Sequence, residues 1–114
     1  AKWNKRYYDF VIDSGYSEHQ FDIAGTLVKL AEAVREGGVI FHLSPISLVN
    51  FGYWNLCPRA LKEFYDFNDW EHLEAVAVKK DYFIDLPLDR ASVASEVSMH
   101  VVCRRTNTKP VRTP

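Results

Sequence analysis

The run YYDFVID (Tyr7–Asp13) is followed by an acidic loop, a helical pattern, two glycines and a second apolar run, VIFHLS (Val39–Ser44). Both runs are short, nearly continuous in apolar residues, and rich in aromatic or β-branched side chains. That is the pattern of a strand covered on both faces. Between them Ile23, Leu27, Leu30, Ala31 and Val34 recur at helical spacing, which predicts a helix over Ile23–Glu36. Asp22 stands where a helix cap is expected, and Gly37-Gly38 where the chain would leave the helix. Strand, helix, strand in this order is a βαβ unit. Its strands should be parallel neighbours joined by a right-handed crossover. An α/β fold follows before the rest of the chain is read.

The remaining segments add to that unit. An aromatic loop, PISLVNFGYWNLC, leads to Pro58, which opens a second helix to about Asn68 with Leu61, Phe64 and Tyr65 as its apolar stripe. LEAVAVKKDYFID (Leu73–Asp85) reads as one long strand, bulged at Lys79-Lys80, and residues 87–95 as a connecting loop. EVSMHVVCRR is a last strand with Val97, Met99, Val101 and Cys103 on one face. The polar tail TNTKPVRTP, residues 106–114, is expected to be flexible, and Arg104-Arg105 to be a solvated strand end. The expectation is a single α/β domain over residues 1–105. It would hold about four strands, a parallel pair plus a C-terminal antiparallel pair, with two main helices.

Length and charge narrow the function. A chain of 114 residues suits one domain. Its net charge of −1 implies no basic face, so nucleic acid is not an expected partner. No apolar stretch approaches the roughly 18 residues of a membrane span, and no signal peptide is visible, so no membrane partner is expected either. Cys57 and Cys103 have no metal-like spacing and read as reduced thiols of a cytoplasmic protein, with a single bridge as the alternative.

The order of the pieces resembles a known family. YDFVIDSG followed by YSEH, then Arg35-Glu36-Gly37-Gly38, then VIFHLSP, is similar to the fourth strand, helix exit and fifth strand of class I S-adenosylmethionine-dependent methyltransferases. Asn50-Phe51-Gly52-Tyr53-Trp54, then Cys57-Pro58, resembles an aromatic segment and Pro-started helix of one subgroup, with Phe51 where that subgroup has histidine. The likeness covers about residues 7 to 104. It implies a Rossmann-like half-domain: the substrate-side, C-terminal half of such an enzyme. The family's cofactor fingerprint is a glycine-rich loop after the first strand, with a ribose-holding acid after the second. The glycines here are Gly15, Gly25, Gly37, Gly38 and Gly52, and no Gly-x-Gly occurs. The resemblance therefore implies no cofactor for this chain alone, and S-adenosylmethionine only if a partner supplies the missing half.

The candidate site lies at the C-terminal edge of the two parallel strands, where ligands bind open α/β sheets. There the resemblance puts Asp13 and Glu18 beside the cofactor and makes His19 a candidate base, while Asn50, Tyr53 and Trp54 would grip substrate. The plainer reading has the acids capping the next helix and the aromatics covering the sheet edge. His42, inside the second run, reads as a core histidine with hydrogen-bonded nitrogen rather than a base or ligand. A small hydrolase using Asp13, His19 and Cys57 is a further alternative, and no metal site is expected.

Two crossovers running the same way put both helices on one face of the sheet. The other face, apolar in both runs, would lack cover, and the first strand would keep a free edge. A partner is therefore expected: a second copy, most simply a homodimer, or a chain carrying the missing half. The functions in competition are a methyltransferase half that is not catalytic alone and a non-catalytic oligomerisation or ligand-binding module.

Overall fold

A computed structural model of the protein describes residues 7–48, 51–79, 82–86 and 96–114. The elements are β1 (Tyr8–Ser14), a single 3-10 turn (Ser17–His19), α1 (Ile23–Glu32), β2 (Val34–Pro45), α2 (Pro58–Phe67), β3 (Glu71–Lys79), β4 (Tyr82–Asp85) and β5 (Ser98–Arg104). The five strands form one sheet in the order β1-β2-β5-β3-β4. β1 and β2 are parallel, as the βαβ reading requires, and every other pairing is antiparallel. The fold is α/β.

Three expectations are corrected. The first helix stops at Glu32, because Ala33 gives its carbonyl to the amide of Tyr8 and Val34 enters the sheet opposite it. The glycine pair then serves a bulge in β2 and not a helix exit. Tyr8 pairs with Val34 but Phe10 with Val39, and the surplus residues are taken up around Gly37, at φ 82°, a conformation that favours glycine. The expected long strand Leu73–Asp85 is two strands, with Lys79 opposite Tyr82. The polar Lys-Lys-Asp interrupts the apolar run there, so the sheet holds five strands among the described residues, in keeping with the about four expected; the bulge expected at Lys79-Lys80 extends to Lys80, outside the described residues.

The third correction concerns the C-terminal tail. Residues 106–114 are tied down by Arg105, which is itself buried and not a solvated strand end. Its guanidinium donates to the carbonyls of Val34 at 2.8 Å, Asn107 at 2.9 Å and Lys109 at 2.9 Å, and it stacks 5.9 Å over the Trp70 ring. Asn68 clamps Arg112 through both main-chain groups, and Val111 joins the core. A planar cation with five donors can gather carbonyls that would otherwise need water.

The core lies on one side of the sheet. Leu27, Leu30 and Ala31 of α1 and Leu61, Phe64 and Tyr65 of α2 pack against Ile40, Met99, Val101 and Cys103. Asp22 caps α1 by accepting from the Gly25 amide, and Pro58 opens α2, both as predicted. The other face is thinly covered. Phe10 is 53% exposed, Ile12 60% and Phe83 69%, and His100 lies between the rings of Phe41 and Phe83. Val11 turns the other way, onto the core.

Candidate functional site

At the end of β1, Gly15 at φ 67° turns the chain. Asp13 then holds the 3-10 turn from below. It accepts the Ser17 amide at 3.0 Å and the Ser17 hydroxyl at 2.6 Å. On its inner side, Asp13 Oδ2 lies 2.6 Å from His42 Nδ1, and His42 Nε2 lies 2.5 Å from the Tyr65 hydroxyl. Ser17, Asp13, His42 and Tyr65 thus form a continuous buried polar chain from the loop, through both parallel strands, to α2. Nδ1–H donating to Asp13 and Tyr65 O–H donating to Nε2 is one proton arrangement that gives every group in the chain a partner. Burial opposes ionisation of Asp13, but the His42 and Ser17 bonds outweigh it and hold the carboxyl below its usual range. Burial pushes the Tyr65 phenol well above its ordinary value, so it stays a donor.

Glu18 follows a different pattern. Its side chain is fully buried, yet neither carboxyl oxygen has a hydrogen-bond partner among the described residues. Burial raises its pKa; its own amide opposes the rise and the nearby Asp13 charge adds to it. The Ser44 hydroxyl, at the end of β2, is likewise buried without a partner among the described residues. Glu18 and Ser44 line one cleft of about 360 Å³ with Ser14, Gly15, Leu43, Pro45, Leu48, Phe51 and Ser98. It sits at the C-terminal edge of the parallel pair, where the topology predicts a ligand site.

The aromatic loop closes one side. Gly52 packs so tightly on Glu18 that a Cβ there would lie 2.8 Å from the Glu18 carbonyl oxygen. The Tyr53 amide donates to that oxygen at 2.8 Å, and Trp54 Nε1 donates to the carbonyls of Gln20 and Phe21. The His19 ring stands 5.2 Å from Phe51, exposed on the rim. The two loops thus leave the same sheet edge and are joined, as expected.

The predicted residues divide by role. Glu18 forms cleft wall; Asp13 is engaged in the buried chain; His19, Tyr53 and Trp54 sit on the loops outside the lining; Asn50 lies outside the described residues. His42 is the hydrogen-bonded core histidine that was expected. Ser17, Ser44 and Tyr65 were missed. A Ser-Pro pair ending a buried strand at the ligand edge was a usable signal for Ser44, whereas nothing local marks Tyr65 as a partner of His42.

No family model and no curated protein matches the sequence. The structure of the chain is similar to the crystal structure of TehB from Haemophilus influenzae, with TM-score 0.61 and 16% sequence identity over 90% of this chain and 37% of that one. The likeness is one of fold, an α/β sheet with helices packed on it. The chain thus spans little more than a third of that neighbour's length. Each of the five glycines has its Cβ direction filled by this chain's own atoms within 3.3 Å.

Proposed function

We propose that this chain is the substrate-holding half of a methyl-transfer site and that it is not catalytic alone. The observation that carries the reading is the pairing of two buried, unpartnered polar groups, Glu18 and Ser44, at the ligand edge of a methyltransferase-like sheet. A buried polar group without a partner costs stability, and such costs concentrate where a ligand is meant to satisfy them. This reading assigns the cofactor's backbone cradle to the other half of the site, since no Gly-x-Gly occurs in this sequence. The cofactor would then be held by the glycine-rich half, whether that half belongs to the same polypeptide or to a partner. The free thiols Cys57 and Cys103 fit a reducing, cytoplasmic setting.

Titration calorimetry of the chain with S-adenosylmethionine tests the division of labour. The expected result is no saturable heat. A one-to-one complex of micromolar Kd would overturn it.

A second reading is favoured by a separate observation, the exposed Phe10, Ile12 and Phe83 on the face turned away from α1 and α2. In that reading the chain is an assembly module, a homodimer built on this face. The two readings share a partner on the sheet and differ in whether the cleft is used.

A further inference from the structure

We propose that the Glu18–Ser44 cleft binds a protonated amine carried on a small apolar body. The proposal rests on reading this cleft as the substrate side of the site and names the chemistry it would accept.

Neither Glu18 oxygen has a hydrogen-bond partner among the described residues, and no lysine, arginine or histidine is among the described residues that line the cleft. An ammonium group brings a positive charge and up to three donors in one compact head. It would pair with the carboxylate and leave a donor for the Ser44 hydroxyl, also unpartnered in the same wall. Charge-assisted bonds of this kind are stronger than neutral ones.

The rest of the lining fits the other end of such a molecule. Leu43, Pro45, Leu48 and Phe51 offer apolar surface, and the Phe51 ring can also face a cation. A volume of about 360 Å³ admits a small ligand only.

Competing classes fit less well. An anion would meet the buried Glu18 carboxyl, with no lysine, arginine or histidine among the described lining residues to offset it. A metal ion needs several hard ligands, and no group of three or more His, Cys, Asp or Glu side chains that could hold one occurs among the described residues. A neutral body brings no charge to balance the buried carboxylate.

The test uses the full chain and three probes of one size: benzylamine, benzyl alcohol and benzoate. Amide shifts in two-dimensional NMR report where each binds. Benzylamine is expected to move Gly15, Glu18 and Ser44 saturably, with the alcohol and the acid at least about tenfold weaker. Glu18→Gln, nearly the same shape, should weaken benzylamine about tenfold or more and leave benzyl alcohol unchanged. Ser44→Ala is a second variant, expected to weaken it less. The proposal is overturned by benzyl alcohol binding as tightly as benzylamine, by undiminished binding to Glu18→Gln, or by no saturable shift with benzylamine. The cofactor is absent from every arm. Failure here therefore leaves the calorimetric test of the half-site standing, and a micromolar cofactor complex would sink that reading while leaving amine binding intact.

Discussion

His42 Nδ1 lies 2.6 Å from Asp13 Oδ2, with both side chains sealed from solvent. The contact joins β1 to β2 and is continued by Ser17 on one side and Tyr65 on the other. Removing one partner of a buried pair leaves the other without compensation. Asp13→Ala should cost about 3 kcal/mol or more, and Asp13→Asn less. Urea unfolding at pH 7 measures both, and a loss within error of zero for Asp13→Ala would show that the pair holds nothing together.

The same carboxyl sets an acid limb. Its folded-state pKa is depressed by His42 and Ser17 against the opposing effect of burial. Its stabilisation is therefore present above the unfolded value, about 3.9, and is lost as pH falls through the lower folded value. Wild type should lose stability below about pH 4 more steeply than Asp13→Asn. Parallel slopes for the two proteins between pH 5 and pH 2 would count against this assignment.

Glu18 has the opposite sign. Its folded pKa is raised by burial, so folding favours the protonated form. Stability is lost as pH climbs from the unfolded value, about 4.3, through the higher folded value, and the penalty persists above it. Glu18→Gln should melt roughly 4 °C higher than wild type at pH 7, with the gap closing toward pH 4. A lower melting temperature at pH 7 would mean that the carboxylate has a partner after all.

The two thiols should separate cleanly. Cys57 is exposed, while Cys103 is buried and its pKa is pushed up to about 12, first by burial and then by the Asp66 charge. Only thiolate reacts quickly. Iodoacetamide under native conditions should label Cys57 alone, and mass spectrometry after digestion locates the label. Equal labelling of Cys103 would place β5 in a frequently opened state.

On the uncovered face, Ile12→Asp should dissociate a homodimer built there without unfolding the subunit, since Ile12 is 60% exposed. Light scattering and circular dichroism read the two effects separately. A wild-type chain that stays monomeric at high concentration removes the assembly reading.

Much of this was legible in the chain itself. The parallel pair, the capped first helix and the Pro58 helix all carry local signals: continuous apolar runs, Asp22 three residues ahead of Gly25, and proline at a first turn. Other features depend on partners distant in sequence. Arg105 looks like a surface charge until Val34 and Lys109 present their carbonyls to it. Gly37-Gly38 looks like a helix exit until Ala33 is claimed by Tyr8. Of the site, sequence position drew attention to Glu18, but its burial without a hydrogen-bond partner among the described residues emerges only when the Gly52 segment packs on it. Period and propensity describe neighbours along the chain, and a cleft is made by neighbours across it.

The strand order also sets a sequence of events in time. β5, later in the sequence than the other strands among the described residues, lies between β2 and β3. Until it emerges, the βαβ unit and the β3–β4 hairpin share no strand pairing among the described residues, and each keeps an open side toward the other. Closure of the sheet is therefore a late, single event that waits on Ser98–Arg104. A ribosome paused before that segment would present both open strands to the chaperones around it.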